Sequence, residues 1–369
     1  MDGVDAVLCD ITSEYCQTMH AVSVSYPNHL LNLLHSLCHP SPNELNAMAT
    51  ADRLVAEILA QATTLLLTET GLSPKDIVAI GSHGQTIRHF PNGAPLTSSN
   101  VSPTGFTCQI GDPNTLAILT HIDVIADFRR KDIALGGQGA PLVPAYHNAI
   151  FRHPHHYRVL VNIGGIANIS VLAPKTEQTP PLGYDTGPGN TLMDHWIKQQ
   201  LGQPFDDKGK WAASGNVHPT LLRELLLDSH FQQKAPKSTG REHFNIDWLQ
   251  HILTKINQPI APNDVQATLL ELTAQTISNA ILSHNLPNQT DIIICGGGAF
   301  NPVLVTRLQT LLSKYKVTDS HSLNIHPQQV EGAAFAWLAY AHLNKITGNV
   351  PEVTGASRPA VLGVLCPAQ

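Results

Sequence analysis

An α/β enzyme made of two similar lobes with a cleft between them is the architecture this sequence predicts. Three observations carry that expectation. Apolar runs of strand length alternate with helical patterns along the chain. Two strand pairs, one within 4–27 directly after Gly3 and one within 157–174 around Gly164 and Gly165, each open an α/β half. A length of 369 residues, 42% apolar and 14% charged, suits two domains of ordinary size with ample core.

Residues 4–11 and 18–27 read as strands joined by a polar turn. Residues 44–70 space their apolar side chains at helical intervals, and Gly71 supplies the stop. "DIVAIGSHG" (76–84) reads as a buried strand ending in glycine. A short helix at 113–121, a strand at 123–128 and a helix at 141–151 follow. "YRVLVNIGGIANISVLAP" (157–174) is two strands around a glycine-rich turn. Next come a strand, a helix over 190–201 and a mostly helical stretch over 219–285. "DIIICGGGAFNP" (291–302) reads as strand, glycine turn and helix start, and a last helix covers 328–344.

The bulk numbers exclude several classes. A net charge of -6 argues against a nucleic-acid partner, which needs a basic face. No apolar stretch is long enough to span a bilayer, and no secretory leader is evident. The six cysteines are scattered without a C-x-x-C, as expected of reduced thiols in a cytoplasm. "HPHHY" (153–157) lacks the helical H-x-x-x-H spacing of a zinc site and reads as a solvated loop.

Six stretches carry candidate chemistry, five of them beside a plainer reading. "NIGGIAN" (162–168) places Gly164 and Gly165 between strands, where backbone N–H groups can converge on an anion; the alternative is an ordinary hairpin turn. "CGGGAFN" (295–301) follows an Ile-rich strand and nearly fits G-x-G-x-x-G through Gly296 and Gly298. Asn301 stands where the last glycine would be, so a packing turn remains open, and no P-loop is present. "GYDTGPGNTLMDHW" (183–196) leaves Asp185 at a strand end beside a helix N-terminus, a good place for a general base. An Asp that only braces its own turn is the alternative. "DFRRKDIALGGQGAPLVP" (127–144) offers Arg129 and Arg130 for a carboxylate or phosphate, or else a solvated charge run. "SHGQT" (82–86) adds His83 and Gln85 as hydrogen-bonding partners for a polar substrate. Glu331 opens a strongly apolar helix, as a site acid or as a helix-dipole complement.

Together, "SHGQT", "DFRRKDIALGGQGAPLVPA", "NIGGIAN", "GYDTGPGN", "APKSTGRE", "DVQATLLELTA", "CGGGAFNP" and "TGAS" resemble, in this order, the anhydro-N-acetylmuramic acid kinase family. The resemblance runs the length of the chain. It implies the duplicated two-domain actin-like ATPase fold of actin, sugar kinases and Hsp70. The implied domains are 1–155 plus about 340–369, and 156–339. It also implies that ATP and water open the 1,6-anhydro ring of anhydro-N-acetylmuramic acid and phosphorylate O6, in cell-wall recycling. Asp185 then matches the catalytic aspartate. Asn162, Gly164 and Gly165 match a phosphate-binding turn, and Gly296, Gly297, Gly298 and Asn301 match the turn near the adenosine. Arg129, Arg130, His83, Gln85 and Glu331 fall on the sugar side. Mg²⁺ is implied as riding on ATP rather than on protein ligands, and a homodimer is implied as well.

The family resembled begins with a strand and a Ser-Gly-Thr-Ser turn, whereas this chain opens directly on "MDGVD". Asp2, Gly3 and Asp5 then match the second half of a first phosphate loop. Two expectations follow: a start placed at an internal methionine, or a member that binds nucleotide or sugar without turnover. The loss of a sheet strand favours the first, since each buried side chain it exposed would cost about 1.5–3 kcal/mol. Another sugar kinase of the same fold is disfavoured by the Asp-Thr-Gly-Pro-Gly-Asn block.

Overall fold

The computed structural model describes residues 3–94, 104–235, 237–241, 243–256 and 258–369. The chain forms two compact units: unit 1, Met1–Ile150 with Glu331–Gln369, and unit 2, Phe151–Val330. Its strands are β1 (Gly3–Ile11), β2 (Cys16–Ser25), β3 (Ile80–Gly81), β4 (Gln85–Phe90), β5 (Phe106–Ile110) and β6 (Val124–Ala126) in unit 1. Unit 2 carries β7 (Arg158–Ile163), β8 (Ile166–Leu172), β9 (Leu182–Pro188), β10 (Asp291–Cys295) and β11 (Lys316–Asp319), and β12 (Val364–Cys366) returns to unit 1. Both units are α/β, the class expected.

In unit 2 the five strands make one sheet in the order β11-β10-β7-β8-β9. β7 is its axis, parallel to β10 and antiparallel to β8. Val159, Leu160, Val161 and Ile163 are all fully buried, as a strand covered on both faces requires. The Pro262–Leu282 helix packs Leu269, Leu272, Ile277 and Ile281 into the same core. From that helix Thr273 Oγ1 donates to the carbonyls of Pro188 (3.1 Å) and Gly189 (2.9 Å), which fixes the end of β9.

Unit 1 has smaller sheets: the β1–β2 hairpin, a β12-β6-β3 sheet and the β4–β5 hairpin. Its Glu44–Thr70 helix ends at Gly71, whose left-handed φ of 69° closes the last turn at no steric cost. Ala51, Val55, Ile58 and Ala62 of that helix pack against Val4, Tyr26, Leu30 and Leu34. The Pro113–Thr120 helix starts where expected because Asp112 accepts from the amides of Asn114 (3.1 Å) and Thr115 (3.0 Å).

The expectation for 76–84 fails. Only Ile80 and Gly81 pair, with β6, and Val78 is 83% exposed. A capping box between Ser73 and Asp76 folds Pro74–Asp76 into a short turn instead, so the run has no second strand to bury it over its length. The Asn28–Leu37 helix and the polar β4–β5 hairpin were not expected either. The 219–285 region is helical at Pro219–Leu226, Ser229–Gln232, Ile246–Ile256 and Pro262–Leu282, and the loop between the second and third of these reaches the candidate site.

Candidate active site

Asp185 sits in β9 opposite Asn168 of β8, beside a bulge between Ala167 and Asn168. Hydrogen bonds to both its backbone and its carboxylate hold it. Its amide donates to the Lys237 carbonyl (3.2 Å). Its own carbonyl accepts from His230 Nε2 (3.1 Å), and its carboxylate Oδ2 accepts from the Thr239 amide (2.9 Å). Lys237 Nζ closes the ring by donating to the His230 carbonyl (2.9 Å). Burial pulls the Lys237 ammonium down, and the Asp185 carboxylate opposes that. Burial likewise lowers His230, with Lys237 adding to it, so the imidazole stays neutral and donates through Nε2. Behind it, Asp228 accepts from the His230 amide, His243 Nε2 and Trp248 Nε1, each at 2.9 Å. Only Asp185 of this set was expected; the Lys237–Thr239 segment lay inside the quoted "APKSTGRE" without a role. No local pattern ties residue 239 to residue 185, so the contact was invisible to spacing arguments.

The two glycine turns of unit 2 come together. The turn Gly164–Gly165 offers its carbonyls to the amides of Gly189 (2.9 Å), Asn190 (2.8 Å) and Thr191 (3.1 Å), at the start of the Thr191–Leu201 helix. Gly189 runs so close to the Gly164 carbonyl that a Cβ there would collide with it. Gly296 takes φ 79°, and a Cβ on it would stand 2.5 Å from Asn162 Oδ1 and 2.8 Å from the Ile163 carbonyl. Asn162, Gly164, Gly165 and Gly296 thus share one corner, with Gly297 exposed and 3.5 Å from Asn190 Nδ2 measured from its absent Cβ. Gly298 packs on Ile163. Asn301 is spent as a cap, its Oδ1 accepting from the Leu304 amide (3.1 Å). Phe300, 42% exposed, lies against His326 with ring centroids 5.4 Å apart, an aromatic pair beside the turn that the sequence reading passed over.

Unit 1 holds the other candidates. Arg129 Nε donates to His83 Nε2 (2.9 Å) and its Nη1 to the Gly139 carbonyl (2.8 Å). His83 Nδ1 in turn donates to the Gly84 carbonyl (2.9 Å), which fixes the neutral tautomer. Burial, with Arg129 adding, pushes the His83 pKa down to about 3. Nε2 is therefore the acceptor that orients Arg129, while Nδ1 anchors the ring to Gly84. Burial lowers Arg129, opposed by the carboxylates of Glu331 and Asp132. Arg130 points outward and pairs with Asp127 (3.2 Å). Gln85 Nε2 donates to the carbonyl of Thr86 (3.1 Å). Gly3 and Asp5 lie in β1, in the ladder with Ser25 and Ser23, and Asp5 accepts from Ser23 Oγ (2.5 Å). Asp2 lies outside the described residues. Among the described residues no three His, Cys, Asp or Glu side chains cluster as a metal cage, and no helix is long and apolar enough to cross a membrane.

The family model for anhydro-N-acetylmuramic acid kinase matches residues 1–368. An anhydro-N-acetylmuramic acid kinase of Shewanella frigidimarina (strain NCIMB 400) is 50% identical over 363 residues, covering 98% of this chain and 94% of that protein. Its counterpart in Shewanella loihica (strain ATCC BAA-1088 / PV-4) is 50% identical over 367 residues, covering 100% and 96%. Among solved structures, the activator of the 2-hydroxyisocaproyl-CoA dehydratase from Clostridium difficile with bound ADPNP aligns at a TM-score of 0.42 and 12% identity, over 93% of this chain and 97% of that one.

Proposed function

The chain belongs to the anhydro-N-acetylmuramic acid kinase family, and from that premise we propose how its residues divide the work. The reaction is ATP-dependent hydrolytic opening of the 1,6-anhydro ring with phosphorylation of O6, giving N-acetylmuramic acid 6-phosphate. Asp185 takes the proton from water as the water oxygen bonds to C1. The C1–O6 bond breaks with its electron pair going to O6, which attacks the γ-phosphorus while the bond to ADP breaks. Asn162 and the turns at Gly164–Gly165 and Gly296–Gly298 receive the nucleotide, and backbone amides at a helix start suit its anionic phosphates. Arg129, held by His83, and Glu331 serve the sugar, with Arg130 and Gln85 at the edge of that role. Gly3 and Asp5 keep the phosphate role that resemblance assigns them. Mg²⁺ fits as an ion carried on the phosphate oxygens, where it offsets charge during transfer.

The observation that carries this reading is the clamp on Asp185. Its backbone is bonded at N and O, and one carboxylate oxygen accepts from Thr239, so the base is aimed before substrate arrives. Relatives named as kinases at 50% identity favour turnover over a role in binding alone. A cytoplasmic location belongs to the same reading, and the six scattered free cysteines suit a reducing compartment. A homodimer belongs to the same reading and is checked by sedimentation.

The test is Asp185→Asn with product identified by mass spectrometry. The amide keeps the shape and cannot accept the proton, so kcat falls by about 10²–10⁴-fold or more with folding intact. Near-normal formation of the sugar 6-phosphate by this variant overturns the assignment.

A further inference from the structure

The loop that clamps Asp185 carries a second group toward the glycine turn. Arg241 lies two residues beyond Thr239, and its guanidinium rests directly on Gly165. A Cβ at Gly165 would stand 2.7 Å from both Nε and Nη2 of Arg241 and 3.0 Å from its Cζ. Any other residue at 165 would push the arginine away. The turn beneath it is fixed by the amides of Gly189, Asn190 and Thr191. Arg241 is exposed, and its charge reaches Asp194 and His195 of the adjoining helix without forming a bonded ion pair with either. An exposed guanidinium whose Nε–Nη2 edge is set against a phosphate-type turn, on the same loop that aims a carboxylate, has a clear chemical use.

We infer that Arg241 is a catalytic residue that binds the phosphoryl group in transit. The inference rests on the proposed reading of unit 2 as the ATP site. As the bond from O6 to the γ-phosphorus forms and the bond to ADP breaks with its electrons going to ADP, negative charge spreads over the three equatorial phosphoryl oxygens. Two N–H groups of a planar guanidinium match two of those oxygens, and the arginine keeps all its protons throughout. Gly165 is then glycine to let the guanidinium lie against the turn, in addition to closing the hairpin.

The test compares wild type, Arg241→Met, Arg241→Lys and Gly165→Ala as full-length chains with ATP, Mg²⁺ and anhydro-N-acetylmuramic acid. Loss of one preorganised donor to a developing charge lowers kcat by about 10²–10³-fold, so Arg241→Met drops by that amount while KM for the sugar stays within about threefold. Millimolar guanidinium ion restores part of the Met variant's rate, Arg241→Lys recovers less than wild type, and Gly165→Ala reproduces the kcat loss. Thermal midpoints of the Arg241 variants match wild type. A Met variant whose kcat stays within about twofold of wild type, or whose loss tracks unfolding and ignores guanidinium, overturns the inference and leaves the kinase reading standing. If wild type itself yields no sugar phosphate, the kinase reading fails first and the inference falls with it.

Discussion

The two units hold themselves together in different ways. In unit 2 one strand, β7, pairs on both sides and makes a single five-stranded sheet, and the candidate carboxylate rides on that sheet's edge strand β9. In unit 1, among the described residues, no strand joins the β1–β2 hairpin to the β12-β6-β3 sheet. The Glu44–Thr70 helix bridges them through apolar contacts, Val55 and Ile58 packing with Val4 and Tyr26 and Ala60 packing with Val124 and Ala126, and a polar lock is added elsewhere in the unit. Asp132, fully buried, accepts from the Gly139 amide (2.8 Å), Asn349 Nδ2 (2.7 Å) and Thr354 Oγ1 (2.8 Å), so one carboxylate ties the 137–139 loop to the 349–354 segment. Ladder hydrogen bonds over an apolar core are indifferent to pH and tolerate single losses. A buried carboxylate with three donors does not, because removing it weakens all three partners at once.

The sharpest break in that comparison is Asp132→Ala. The buried Gly139 amide would lose its acceptor, while Asn349 Nδ2 and Thr354 Oγ1 would fall back on longer bonds to the Arg358 and Val350 carbonyls (3.4 Å each), and the expected loss is about 2–4 kcal/mol. Hydrogen exchange read by mass spectrometry locates it. Protection should fall across unit 1, around 132–139 and 349–360, and survive at Leu269–Ile281 in unit 2. Equal loss in both units would mean that the lock is not local to unit 1.

The same contrast explains what the sequence disclosed. The β7–β8 hairpin was legible because its apolar runs flank two glycines, and burial on both faces needs no knowledge of partners. The Glu44–Thr70 helix was legible to its last residue because Gly71 is a local stop. Residues 76–84 misled because an apolar run is a strand only where another strand accepts it, and Val78 faces solvent. In the candidate site Asp185 and the glycine turns stood out as motifs. Lys237, Thr239 and Arg241 did not, since their meaning lies in contacts 52 or more positions away in sequence. His83 and Arg129 were named separately, but their bond to each other, which gives His83 its orienting role, was not foreseeable from two distant motifs.

Acid should sharpen the contrast further. His147 of unit 1 is 1% exposed, and burial pushes its pKa down to about 3. At neutral pH both folded and unfolded states hold it neutral and it contributes nothing. Below about 6.5 the unfolded imidazole takes up a proton that the folded one refuses, so stability falls as pH drops from there toward 3. From about pH 7 to pH 5 that amounts to about 2 kcal/mol for one such histidine. Denaturant titrations of wild type and His147→Gln at both pH values check it. Whatever the variant's stability at pH 7, its decline between the two should be smaller by about that amount. Parallel declines would remove His147 as a source of acid lability.

The smallest expected effect runs in the opposite direction and lies in unit 2. Burial pushes the Asp194 carboxyl up to about 6, partly opposed by Arg241. The folded state therefore holds this proton more tightly than the unfolded chain, whose carboxyl releases it near 3.9. Its stabilising contribution is complete below about 3.9 and is lost as pH rises through 6, so at neutral pH the ionised group weakens unit 2. Asp194→Asn should then stabilise by about 1–2 kcal/mol above pH 6, after allowance for the group's partial exposure, and by almost nothing below pH 4. Denaturation midpoints across that range decide it, and a gain that is constant with pH would show packing rather than ionisation at work. The sign also bears on Arg241. A phosphate bound beside that guanidinium adds negative charge near Asp194, which disfavours its ionisation further. Saturating ATP should therefore raise the pH at which the Asn variant's advantage levels off and enlarge that advantage, and a plateau that ignores nucleotide would place the phosphates elsewhere.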